Sequence, residues 1–146
     1  MASRVLPWGG MDDRQQTAIL VIDDDPGTLA VIKATLETSN YKVYTANRGD
    51  EGIKFYETHW REIRLVLLDY MMPEMTGDLV LECLRMVNQD VRAVLVTGYG
   101  DEFVRKMLEL RVWGYIKKPF TVSELVQVVQ DAIDAPVIPA SIRSCL

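Results

Sequence analysis

Aspartates are the residues of this 146-residue chain with the most chemistry to offer. Asp23, Asp24 and Asp25 form a contiguous run directly after the apolar stretch Ala18–Ile22, and Asp69 follows Arg64–Leu68. Thr97 follows Arg92–Val96, and Lys117–Lys118 follow Trp113–Ile116. Three or more carboxylates brought together repel and raise one another's pKa unless a cation offsets them. A hard divalent ion with oxygen ligands does this. Mg²⁺ suits two or three carboxylates that leave room for water and a phosphoryl group. Calcium is disfavoured, because the spaced D-x-D-x-D-G loop is absent and Pro26 follows the aspartate run. Beside such an ion Asp69 is a nucleophile toward phosphorus, forming an acyl phosphate. Thr97 then offers a hydrogen bond and Lys118 a positive charge where negative charge collects during transfer.

These side chains meet only if the elements carrying them end at one place. Five short strands are expected: Ala18–Ile22, Lys42–Thr45, Arg64–Leu68, Arg92–Val96 and Trp113–Ile116. Between them apolar residues recur at helical spacing. The clearest helices are Val80, Cys83, Leu84, Val87 and Leu125, Val128, Val129, Ala132, Ile133, with a third marked by Leu29, Ile32, Leu36. Ile53 with Tyr56, and Phe103 with Met107, mark two weaker ones. The pattern is (βα) five times. Apolar strands joined by crossovers of this length make a parallel sheet covered on both faces, a doubly wound three-layer α/β fold. Ligands of such sheets bind beyond the carboxyl ends of the strands. All the residues singled out lie on that edge.

Four segments, in order and at successive strand ends, resemble the CheY-like receiver domains of two-component response regulators. They are Ile19–Pro26, Leu67–Gly77 (LLDYMMPEMTG), Val96–Tyr99 and Gly114–Phe120 (GYIKKPF). The resemblance runs from about Thr17 to Ile133 and implies a flavodoxin-like sheet of order 2-1-3-4-5. It implies Asp69 as phosphoacceptor, with Asp23, Asp24 and the Met71 carbonyl holding Mg²⁺. It further implies Thr97 as switch hydroxyl, Lys118 as the phosphoryl-pairing lysine before a commonly cis Pro119, and Tyr115 as the aromatic switch. The phosphodonor is then a sensor histidine kinase or histidine phosphotransfer protein. The output is a repacked face of the fourth helix, fifth strand and fifth helix, offered to a downstream protein or output domain. The sequence departs from the family at Gly98, often Ala; at Arg111, often Gly; and at Trp113, often small or polar. Met71 and Tyr99, two positions beyond Asp69 and Thr97, are candidates to shield the acyl phosphate from water.

Plainer roles compete at several positions. Asp25 before Pro26 reads as a helix N-cap. Lys117 reads as solvated, and His59, the sole histidine, as a surface residue. Cys83 and Met71, Met72 and Met75 read as packing residues. Two other functions compete with the receiver reading. Asp23-x-Asp25 followed by Gly27-Thr28-Leu29 is similar to the start of haloacid-dehalogenase-type Mg²⁺ phosphatases, although Pro26 interrupts it and Asp69 is left idle. A receiver used only for docking, without phosphorylation, is the other.

Composition bounds the rest. Sixteen Lys+Arg against 21 Asp+Glu give a net charge of −5, and no basic stretch stands out, so direct nucleic-acid binding is not expected. Apolar runs of four or five residues are far short of the ~20 that span a bilayer. Two distant cysteines, Cys83 and Cys145, suggest neither a disulfide framework nor zinc and fit a reducing, cytoplasmic setting. One receiver domain over residues 17–134 is expected, between a loose extension, 1–16, and a tail, 135–146. Pro136 and Pro139 interrupt further helix there, and the expectation is either a stand-alone regulator or a piece of a longer one.

Overall fold

Strands joined by ten or more residues cannot pair as hairpins, and here they pair side by side in one direction. The computed structural model describes residues 17–98 and 109–136. Its elements are β1 (Ala18–Ile22), α1 (Pro26–Thr38), β2 (Lys42–Ala46), α2 (Gly49–His59), β3 (Ile63–Asp69), α3 (Gly77–Val87), β4 (Ala93–Thr97), β5 (Gly114–Lys117) and α4 (Val122–Asp134). The five strands form one parallel sheet of order β2-β1-β3-β4-β5, as expected. The predicted helix at Phe103 and Met107 lies outside the described residues, as does Tyr99.

The sheet's pleat sorts the core into two halves. Ile19, Val21, Leu65, Leu67, Val94 and Val96 face α1 and α4, meeting Leu29, Ile32, Leu36, Leu125, Val129 and Ala132. Ala18, Leu20, Ile22, Val66, Leu68 and Leu95 face α2 and α3, meeting Tyr56, Val80, Leu81 and Leu84. β1 is completely buried, which is why its sequence is apolar without alternation. On α3 the inward stripe centres on Val80, Leu81 and Leu84, so Cys83 and Val87 are only half-buried.

Three strands run one residue beyond their apolar stretch. Asp69 pairs with Val96 and Thr97 with Lys117, because the ladder uses backbone groups and tolerates polar side chains at its rim. Asp69 and Thr97 are thus the last residues of their strands, not the first after them. Asp25 caps α1: its carboxylate accepts from the Gly27 amide at 3.2 Å and the Thr28 hydroxyl at 2.7 Å, with Pro26 opening the helix.

Two of the departures have a structural account. Arg111 adopts a left-handed backbone, φ 57°, the conformation that favours glycine there; Arg85 donates to the Leu110 and Arg111 carbonyls and holds the turn. Trp113 packs on the α1/α4 side of the core with the Arg92 guanidinium 4.3 Å from its ring centroid. Arg92 also donates to the Ala132 and Ile133 carbonyls at the end of α4. For Gly98 the structure offers no account.

α3 starts immediately beside the end of β3, and only glycine permits it. A Cβ on Gly77 would stand 2.8 Å from the Tyr70 Cα and 3.1 Å from the Asp69 carbonyl oxygen, and the Gly77 amide donates to the Tyr70 carbonyl at 2.7 Å. Gly77→Ala is expected to destabilise the domain by about 1–3 kcal/mol despite the better helix former, since backbone cannot yield as a side chain does. Urea denaturation measures it; an unchanged midpoint contradicts the close approach.

Candidate functional site

β1 and β3 are neighbours, yet they are joined through β2, so the order reverses between them and their carboxyl ends flank a crevice. Ile22 pairs with Leu68; one step further, the same register sets Asp23 beside Asp69. Asp24 continues the turn into α1. Ligand oxygens of Asp23, Asp24 and Asp69 lie within 4.8 Å of one another. Asp23 and Asp69 are buried, 1% and 6% exposed, and Asp24 is open to solvent.

Among the described residues, one cation answers these acids. Lys118 follows β5, two strands from β3, and its amide donates to the Thr97 carbonyl at 2.7 Å, which anchors it over the end of β4. From there its ammonium reaches Asp23 Oδ2 at 2.9 Å and Asp69 Oδ1 at 3.7 Å. The Lys118–Pro119 bond is cis. The other oxygen of Asp23 accepts from the Asp25 amide at 2.9 Å, so Asp25 serves the site through its backbone while its side chain caps α1. That contact has no signature in the sequence, because any residue type but proline supplies it.

Burial pushes the Asp69 carboxyl up to about 7, helped by the Asp23 charge and a side-chain contact with Asp24. Lys118 and a hydrogen bond from the Met71 amide pull the other way and do not cancel it. For Lys118, burial acts to lower the ammonium, and the Asp23 hydrogen bond with the surrounding carboxylates more than reverses it, so it stays charged. Once Asp69 is ionised, three carboxylates stand against the one ammonium found beside them among the described residues, which leaves two negative charges. A divalent cation among oxygen donors supplies the missing balance, and the donor set fits Mg²⁺.

Thr97 ends β4 next to Asp69 and is buried. Met71 follows the site, but its side chain is 50% exposed, which corrects its reading as a packing residue; Met72 is buried and Met75 packs against the core. Tyr115 lies on the edge strand β5, 43% exposed. Lys117 is exposed. His59 ends α2, ahead of the start of β3, where it is half-buried, stacked on Phe55 with ring centroids 4.0 Å apart and with Nδ1 3.0 Å from the Phe55 carbonyl oxygen, which corrects its reading as a surface residue. Asp25 engages both carboxylate oxygens in capping, which leaves the dehalogenase-like motif without its second free acid. No helix among the described residues is long and apolar enough to cross a membrane.

Known proteins show the same arrangement of fold and motifs. The family model of the response regulator receiver domain matches residues 19–130, and the chain belongs to that family. The sensor kinase CckA of Brucella abortus is 31% identical over 119 residues, 81% of this chain and 12% of that protein. The alkaline phosphatase synthesis transcriptional regulatory protein PhoP of Bacillus subtilis is 34% identical over 108 residues, 73% of this chain and 44% of the relative. The chain therefore spans from about an eighth to under half of these relatives. Among solved structures, the response regulator protein TrrA of Thermotoga maritima in complex with Mg²⁺-BeF superposes with a TM-score of 0.70. It shares 29% identity and covers 80% of this chain and 98% of its own. The chain is a receiver domain, and a receiver's general function is to take a phosphoryl group from a kinase.

The raised Asp69 pKa has a consequence for stability. A proton held more tightly in the folded state stabilises it fully below the unfolded carboxyl value, near 4, and that contribution is lost as pH rises through about 7. Without divalent ions, Asp69→Asn is expected to melt above wild type at pH 8 by several degrees, with the gap closing toward pH 5. Mg²⁺ narrows the pH 8 gap by binding wild type. Thermal melts in chelator at both pH values check this; a gap independent of pH contradicts it.

Proposed function

We propose that Asp69 is the phosphoacceptor and that Asp23, Asp24 and Asp69, with the Met71 carbonyl, hold Mg²⁺. The observation that carries this is the buried Asp69 carboxylate sharing one crevice with two further acids and a single lysine. Asp24 and Asp69 are the direct donors. Asp23, whose oxygens already accept from Asp25 and Lys118, acts chiefly by charge and its remaining lone pairs. Bound Mg²⁺ supplies charge compensation on the entering phosphoryl oxygens.

An Asp69 oxygen attacks phosphorus of a phosphohistidine, the P–O bond forms as the P–N bond breaks, and the imidazole leaves with the electron pair and takes up a proton. The Lys118 ammonium moves from the carboxylates to the new phosphoryl oxygens, and the Thr97 hydroxyl donates to another. The donor is a sensor histidine kinase or a histidine phosphotransfer protein; the likeness to a sensor kinase and to a transcriptional regulator supports such partners. Movement of Thr97 biases an existing equilibrium, and the face around β5 and Tyr115 changes for a downstream protein or output domain. The domain promotes only its own phosphoryl transfer and hydrolysis and acts on no other substrate. Met71, exposed two positions after Asp69, screens the acyl phosphate and tunes its lifetime. The half-buried free thiol of Cys83 accords with a cytoplasmic location.

Incubation with a small acyl- or amido-phosphate and Mg²⁺ is expected to label wild type to one phosphoryl group and Asp69→Ala not at all. Thr97→Ala is expected to label about tenfold more slowly, the loss of one hydrogen bond to a charged group. Phosphate-affinity gels read both; full labelling of Asp69→Ala overturns the assignment.

A further inference from the structure

The loop from Tyr70 to Thr76, which carries Met71, is fastened from a direction that local sequence does not show. α2 begins at Gly49 behind an arginine, and Arg48 makes no side-chain cap, although the first amides of a helix need acceptors. Glu74 of the loop supplies one: its Oε1 accepts from the Gly49 amide at 3.4 Å. Its charge also lies near Arg48, which is paired with Asp50 at 3.0 Å, and a carboxylate at a helix N-terminus is favourable. Gly49 is wedged into the same contact. A Cβ there would stand 2.8 Å from Val80 Cγ2 and 3.2 Å from Met75 Sδ.

At the other end of this short loop Met71 stands two positions past Asp69, the last residue of β3. The loop is already pinched at its base by the Gly77 amide on the Tyr70 carbonyl, and Met72 is buried. Glu74 adds a polar tie from its outer turn to the α2 terminus. We propose that Glu74 is a positioning residue for the acidic site: by capping α2 from the neighbouring loop, it holds Met71 in place beside Asp69.

The inference rests on the Mg²⁺ reading above, and the test separates the two. Mg²⁺ binding is titrated by calorimetry at constant pH for wild type, Asp24→Asn, Glu74→Ala, Glu74→Asp, Glu74→Gln and Asp50→Asn. Wild-type binding that Asp24→Asn weakens at least tenfold supports the metal site; no wild-type binding overturns that reading and the inference with it. With the site established, Glu74→Ala and Glu74→Asp, which lack or cannot reach the Gly49 amide, are expected to bind Mg²⁺ about three- to tenfold more weakly. Glu74→Gln keeps the acceptor and is expected within twofold of wild type. Asp50→Asn removes a first-turn acid of α2 without touching the loop and is expected to leave affinity unchanged, whatever it does to the melting temperature. Wild-type affinity in Glu74→Asp, or equal weakening in Asp50→Asn, overturns the positioning role.

Discussion

Mutual repulsion of Asp23, Asp24 and Asp69 is the constraint around which this molecule is arranged. The sheet register forces two of them together at the reversal of strand order, and burial denies them water's screening. The Lys118 ammonium, brought from β5 across the end of β4, offsets part of the charge. On the proposed reading the remainder is left for ligands: a divalent cation, and then a phosphoryl group whose oxygens compete for the same lysine. A site that is unfavourable when empty is one whose occupancy has consequences elsewhere.

The scaffold bears this load because it is packed without slack beneath the site. β1 and β3 are buried on both faces, α3 is seated against the end of β3 by Gly77, and α1 is started by Asp25 in the residue next to the metal-site acids. Helix capping and the charge pair with Lys118 are thus made by neighbouring residues of one turn, Asp25 and Asp23, with the solvent-open Asp24 between them. The same turn that begins a helix presents the carboxylates, so neither function can drift without the other.

Much of this was readable beforehand. Apolar runs alternating with helical periodicity fixed five strands, their parallel pairing and the shared edge, because a buried strand and an amphipathic helix each impose a period on sequence. The meeting of Asp23, Asp24, Asp69 and Lys118 was readable because the carboxyl ends of the strands are where an open doubly wound sheet gathers side chains around a crevice. Strand termini were less so: Asp69 and Thr97 belong to the ladder, and hydrogen bonding through the backbone leaves no trace in side-chain polarity. The amide of Asp25 on Asp23 and the carboxylate of Glu74 on α2 were equally invisible. One is made by a backbone amide, which every residue but proline carries, and the other joins residues 25 positions apart with no shared pattern. Met71 was misjudged as packing, since methionine suits both core and rim.

The central claim is that one oxygen of Asp69, and no other group, takes the phosphoryl. The most direct measurement is borohydride reduction of the phosphorylated protein followed by peptide mass mapping, which turns an acyl phosphate into an alcohol at its own position. The account predicts homoserine at residue 69 alone, dependent on Mg²⁺ during labelling. Homoserine at 23 or 24, or an unreduced Asp69 in fully labelled protein, contradicts it.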